Sequence, residues 1–398
     1  MTRHGKMGAL ALIAGAAMFA GTAAAQTGVS CFSQAQTESE GVGLPILLEV
    51  GVSWSEGALD FEDAVRTDEA MSAAIRDHVV LCRLDAETGE DGELAKAYGV
   101  RNYPTFILTN ARGDLIDQWY GFGCRRCFVM RLERAVGDPV TLAYRLKRFR
   151  AEPSEEDARR IGEVRHSQGM FAEAVAYFQR AKELAGDSET NYDMKIFNAI
   201  AYGYGDGIYG DDLVKAQADV VYDSPRSTLH DRMKVASSMF KVAKRSGDDS
   251  YFVPYLRRAV EESEGVTEED VAGMRAKLLP EYALRVEKDP VRAAALYKGN
   301  QPGLWQEDGV LLNEFAWWCF ENRINLKEAE ALARRGVELA APGKERANLL
   351  DTLAEICNVS GECEGAVKFI RMAIAEAPDN EHFRRQLARF EEILAARR

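Results

Sequence analysis

The chain has only five histidines, His4, His78, His166, His230 and His382. No two stand in a His-x-x-x-His pair, which argues against a zinc enzyme of that type. Positive charge is also short: 50 Lys and Arg against 63 Asp and Glu leave a net charge of -13. Phosphates would repel such a chain, so neither nucleic acid nor an anionic membrane is expected as its main partner. After the first 25 residues no apolar run reaches the ~20 residues that cross a bilayer. No Ser-His-Asp arrangement or pair of catalytic carboxylates stands out, and no cofactor or metal is expected. The 11 Pro and 33 Gly are too few for a low-complexity chain. What remains is ordinary globular composition, 46% hydrophobic and 28% charged, over 398 residues. That length predicts two or three domains.

Residues 1–25 read as a secretory signal peptide. Arg3 and Lys6 supply the positive start, Gly8 to Gly21 an uncharged apolar stretch, and Ala23-Ala24-Ala25 a cleavage site before Gln26. The short, Ala-rich signal has a bacterial look, so a periplasmic or secreted protein is expected. The alternative is a lipoprotein with Cys31 lipidated, although Gly28-Val29-Ser30-Cys31 is a poor match for that signal. Export allows disulfides to persist. The seven cysteines are Cys31, Cys82, Cys124, Cys127, Cys319, Cys357 and Cys363. Seven is odd, so at least one thiol is free or bonds another molecule, and Cys31 is the candidate.

Residues 26–42 are polar and aperiodic, which predicts a flexible leader. From 43 to 137 the pattern is mixed α/β. Strands are expected at Pro45–Val52, Val79–Leu84, Pro104–Leu108 and Leu115–Trp119. Helices are expected at Phe61–Ile75, Glu93–Tyr98 and Cys127–Val136. From 138 to 398 the strands stop and helices follow one another between short turns.

Tyr98-Gly99-Val100-Arg101-Asn102-Tyr103-Pro104-Thr105-Phe106, then Gly113 and Gly121, resembles the second half of a thioredoxin domain. The resemblance covers Leu44 to Gly137. It implies a cis-proline at Pro104 facing the active site, with Tyr103 beside it. It also implies Trp-Cys-x-x-Cys after the first strand. Here that stretch is Trp54-Ser55-Glu56-Gly57-Ala58, with the tryptophan kept and both cysteines gone. An alcohol has neither the ionised fraction nor the leaving ability of a thiol, so the usual site should be inert. A Cys-x-x-Cys occurs elsewhere, at Cys124-Arg125-Arg126-Cys127, opening the last helix. A helix N-terminus and two arginines would lower a thiol pKa. Three readings stay open: a static staple, a relocated redox pair, and a metal site or free thiols. In the redox reading Cys124 attacks and Cys127, more buried, resolves.

The helical region resembles a tetratricopeptide (TPR) array. Ala158, Ile161-Gly162, Gly169, Ala174, Phe178 and Ala181 form one copy. Leu350, Leu353-Ala354, Gly361, Ala366, Ile370, Ala373 and Pro378 form a second. Asn313 to Ala341, with Ala316, Ala329, Ala333 and Gly336, is a third, and Glu381 to Ala396 a terminal cap. The resemblance implies an all-α solenoid whose surface binds proteins or peptides. Together the two resemblances imply an exported thioredoxin-fold and TPR protein that binds client or partner polypeptides. Its recognition face would hold Trp54, Tyr103, Pro104, Gly121 and Phe122. The alternative is a thiol–disulfide oxidoreductase using Cys124 and Cys127.

Weaker signals have plainer readings. Cys357 and Cys363 flank a repeat turn, where a disulfide or two buried thiols would fit equally. Cys82 and Cys319 read as core thiols, and Trp305, Trp317 and Trp318 as solenoid core. Gly205-Asp206-Gly207-Ile208-Tyr209-Gly210 follows a helix rather than a strand, so it reads as a loop and not a nucleotide cradle. Asp85 to Glu90 reads as a solvated acidic loop. Glu268-Glu269-Asp270 reads as a helix start capped by Thr267. Oligomeric state is not legible.

Overall fold

The computed structural model describes residues 32–397. The expected signal peptide, residues 1–25, and Cys31 lie outside the described residues. The chain divides into two compact units, 1–186 and 187–398.

The first unit is built on a four-stranded sheet. Its strands are β1 (Ile46–Gly51), β2 (Val80–Asp85), β3 (Thr105–Thr109) and β4 (Leu115–Tyr120), in the order β2-β1-β3-β4. β1 and β2 are parallel, and the other two pairings are antiparallel. The parallel pair needs a crossover. It is made by α2 (Glu56–Thr67) and α3 (Glu69–His78). The single helix expected at Phe61–Ile75 is thus two. Asp68 ends one and caps the next, accepting a hydrogen bond from Met71 N at 3.0 Å. Next come α4 (Gly89–Ala97), between β2 and β3, and α5 (Arg125–Gly137), after β4.

Alternation along the strands divides the core in two. Leu47, Leu81, Phe106 and Leu108 face Phe61, Met71, Ile75, Phe128 and Leu132 of α2, α3 and α5. Ile46, Leu48, Val50, Cys82 and Ile107 face the other way, toward Ala95 of α4 and Ala35. Ala35 belongs to α1 (Phe32–Val42), which corrects the expectation of a flexible leader over residues 32–42. Its polar composition hides one small buried stripe, Ala35 and Ser39. Gln36 Nε2 also ties the helix to the Ala111 carbonyl at 3.0 Å.

The first unit does not stop at Gly137. It includes α6 (Leu142–Ala151), α7 (Glu155–Ser167) and α8 (Phe171–Leu184). A network of buried ions joins these helices to the sheet. Arg160, 1% exposed, reaches Asp117 of β4 at 3.4 Å and Asp138 at 3.5 Å. Arg145 pairs with Asp138 at 2.8 Å and Asp157 at 2.9 Å. Glu163 takes Arg131 at 3.4 Å and Arg134 at 3.1 Å. The boundary expected at 137/138 therefore falls at the end of α5, while the compact unit ends at Gly186.

The first TPR copy is the α7–α8 hairpin. A Cβ on Gly162 would lie 2.6 Å from Phe178 Cε1, which is why glycine stands there. Gly169 makes the turn at φ +74°.

The second unit is all helix. It begins with α9 (Tyr192–Gly205), α10 (Asp211–Asp223), α11 (Leu229–Ser246), α12 (Val253–Glu262), α13 (Glu269–Arg285) and α14 (Pro290–Gly299). It continues with α15 (Gly309–Asn322), α16 (Leu326–Leu339), α17 (Lys344–Val359), α18 (Cys363–Glu376) and α19 (Glu381–Ala396). The second and third TPR copies are α17–α18 and α15–α16, and their small and bulky signature residues share one core. The glycine-rich 205–210 stretch is the link from α9 to α10. α13 starts at Glu269 with Glu268 as its cap residue, so the Thr267 cap is corrected. Among the described residues no helix is long and apolar enough to cross a membrane.

Candidate functional site

The chain turns sharply after β1. Trp54 sits on this turn, 70% exposed. Ser55 follows as the cap residue of α2, buried, with its hydroxyl making no capping bond. The α2 N-terminus abuts the β3 entry: a Cβ on Gly57 would meet Pro104 Cδ at 3.0 Å and the Phe122 carbonyl oxygen at 3.9 Å. The Tyr103–Pro104 bond is cis. Tyr103 meets Trp54 edge to face, with ring centroids 6.3 Å apart. Gly121, at φ +83°, donates its N–H to the Pro104 carbonyl at 2.8 Å. Phe122 then turns inward against Phe61, 5.4 Å between centroids. Five residues from three loops thus meet at one end of the sheet. An aromatic ring lies over this end, and no thiol stands at the α2 N-terminus.

Cys124 and Cys127 form a disulfide at the start of α5, with Cα atoms 5.1 Å apart. Cys124 is the cap residue, and its sulfur accepts the Cys127 N–H at 3.2 Å. Both cysteines are exposed. This corrects the expectation that Cys127 is the more buried, because the first turn of α5 projects beyond the sheet before Phe128 enters the core. The arginine field is also weaker than its sequence implies. Arg125 faces Asp63 and Asp68, each at 3.7 Å, which offsets its charge. A cavity of about 190 Å³ lies beside the disulfide, between Trp119, Phe122, Phe128 and Arg131.

One carboxylate near this end went unread in the sequence. Glu49 lies in the apolar run of β1, 7% exposed, beside Arg83 in the register of β1 and β2. Burial pushes its pKa from the ordinary 4.5 up to about 7; Arg83 opposes the shift and Glu62 adds to it. The signal was a single charged residue inside Pro45–Val52, a strand otherwise free of charge.

Cys357 and Cys363 are not bonded to each other, so of the two readings the buried thiols hold and the disulfide does not. Cys357 packs at α18, where a Cβ on Gly365 would lie 3.2 Å from its sulfur. Close helix approach is the use of this cysteine, and burial pushes its thiol up to about 11. Glu330 and Glu362 lie near it, within 4.8 Å ligand to ligand. A thiol held protonated is a poor metal ligand there. Cys82 and Cys319 are buried. Trp318 is core, donating to Glu281 at 2.8 Å, while Trp305 and Trp317 pack half-buried on Phe315 and Phe320.

The order of strands and helices, the cis-proline and the helical hairpins define a thioredoxin-like domain followed by TPR-like repeats. No family model and no curated protein matches the chain. Among solved structures it is similar to a protein of Bacteroides thetaiotaomicron provisionally described as a disulphide-isomerase. The identity is 24%, covering 27% of this chain and 88% of that one, at TM-score 0.25. It is also similar to the APC/C hetero-tetramer Cut9-Hcn1, at 12% identity over 66% of this chain and 52% of that one, TM-score 0.38. A third likeness is to the apo quorum sensor NprR of B. thuringiensis, 12% identical over 68% and 67%, TM-score 0.27. These likenesses concern the fold alone.

Proposed function

We propose that this protein binds partner polypeptides, with Trp54, Tyr103, Pro104, Gly121 and Phe122 as the recognition face of its thioredoxin-like domain. The observation that carries the reading is Trp54, held edge-on to Tyr103 at the mouth of a site without a nucleophile. A tryptophan exposed to 70% is a costly surface residue unless something covers it. The TPR-like helices supply further surface for the same purpose. The export signature in residues 1–25 supports a periplasmic or secreted setting, where such a protein would meet unfolded chains.

The test is binding of a permanently unfolded chain, reduced and carboxymethylated lactalbumin, measured by fluorescence anisotropy. Trp54→Ala should weaken it about tenfold or more, the effect of losing one aromatic anchor. Equal affinity in wild type and variant would refute the reading. A second reading, thiol–disulfide exchange at Cys124 and Cys127, is favoured by the exposure of both cysteines. Insulin reduction that vanishes in Cys124→Ser would establish it.

A further inference from the structure

Behind Trp54 lies a second cavity, of about 410 Å³, open to solvent between β1, β2 and α2. Four carboxylates line it, those of Glu49, Glu62, Asp85 and Asp91, against one guanidinium, Arg83. Arg83 is already engaged, its Nη1 lying 3.3 Å from Glu62 Oε1. Glu49 is more than nine-tenths buried and borders the cavity; among the described residues it makes no hydrogen bond, and Arg83 acts on it only through its charge. A buried carboxylate without a donor is costly, and only a cation or a proton relieves it. The rest of the lining is mostly apolar, Val52, Ala58, Leu59 and Leu84 beside Gly51 and the one hydroxyl of Ser53, with Leu59 54% exposed. A bare metal ion needs a tight shell of oxygens and has no use for such walls. An alkyl chain ending in a cation fits both halves of the lining.

Two hydrogen bonds link the cavity rim to Trp54. Trp54 Nε1 donates to Glu87 Oε1 at 3.0 Å, and Glu87 N donates to Asp85 Oδ1, also at 3.0 Å. A chain crossing Trp54 would therefore run along the acidic rim. We propose that this cavity seats the lysine or arginine side chain of the bound partner, its stem against Val52, Ala58 and Leu59 and its charged head against Glu49 and Glu62. The proposal rests on the partner-binding reading and gives that partner a chemistry: apolar residues beside basic ones.

Two probes test it on the full chain. Butylguanidinium mimics the arginine side chain, and butylurea is its neutral isostere. Butylguanidinium should shift the amide resonances of Glu49–Ser53 and Arg83–Asp85 saturably, and butylurea should bind at least tenfold more weakly. Glu49→Gln and Glu62→Gln should each weaken butylguanidinium by about tenfold, while Glu392→Gln, on an exposed position of α19, leaves it unchanged. Acetylating the lysines of carboxymethylated lactalbumin should lower its affinity for wild type but not for Glu49→Gln. Equal binding of the two probes, indifference to both Gln variants, or displacement of butylguanidinium by dilute calcium would overturn the proposal. A loss of lactalbumin affinity in Trp54→Ala with equal probes would sink the cavity and leave the recognition face standing. Probe discrimination without any effect of Trp54→Ala on lactalbumin would sink the recognition face instead.

Discussion

Replacing Glu49 with glutamine should stabilise the protein in a pH-dependent way. The folded state raises this carboxyl from 4.5 to about 7 because burial disfavours its charge. An acid with a raised folded-state pKa binds its proton more tightly when folded. Its ionisation therefore costs nothing below the ordinary value. The cost grows as pH rises through the interval from 4.5 to 7 and is constant above it. A shift of ~2.5 units at ~1.4 kcal/mol each sets a ceiling of roughly 3.5 kcal/mol. Arg83 and Glu62 face Glu49, with Asp85 and Asp91 across the cavity. Glutamine keeps the shape and cannot ionise. Hydrogen exchange at the β1 amides is the suitable assay, since two compact units need not unfold together. Wild type and Glu49→Gln should coincide near pH 4. By pH 8 the variant should be more protected, by about 1–3 kcal/mol of opening free energy. A constant difference at every pH, or a variant less protected at pH 8, would refute the reasoning.

Other substitutions probe the scaffold. Arg160→Met removes the cation between Asp117 and Asp138 and should cost about 3–5 kcal/mol in urea unfolding of the first unit, because Asp117 stays buried. Gly162→Leu drives a side chain into Phe178 and should cost at least ~1–3 kcal/mol in thermal melting, by overpacking the α7–α8 hairpin. Cys124→Ser opens a disulfide that closes a very short loop, so it should cost no more than about 2 kcal/mol in urea, less than the Arg160 variant.

The fold was legible where one rule decided it. Short apolar runs at Pro45–Val52 and Val79–Leu84 gave β1 and β2, and small residues at TPR spacing gave α7–α8, α15–α16 and α17–α18. It was illegible where two rules competed. Phe61 to Ile75 keeps helical periodicity across Asp68, so the pattern hides a break that only capping reveals. Residues 32–42 look like a loop because α1 buries only Ala35 and Ser39. The unit boundary was hidden for a different reason. Arg145, Asp157 and Arg160 read as a solvated helical face until the sheet supplies Asp117, and no local pattern announces a partner 43 residues away.

The same distinction governs the site. Tyr103, Pro104 and Gly121 were readable through the thioredoxin resemblance, and the structure gives Pro104 the cis bond and Gly121 a positive φ. Cys124 and Cys127 were readable as a spacing, but exposure is a tertiary property, and the structure leaves both at the surface. Glu49 was in plain view within a strand and still escaped, because one charge in a buried run looks like an edge position until its neighbours are known. Yet it is the residue hardest to account for by folding alone. A glutamine there would fill the same space without the ionisation cost. Keeping a carboxylate in this cavity therefore makes physical sense if something cationic arrives to meet it, and a bound partner is where such a group would come from.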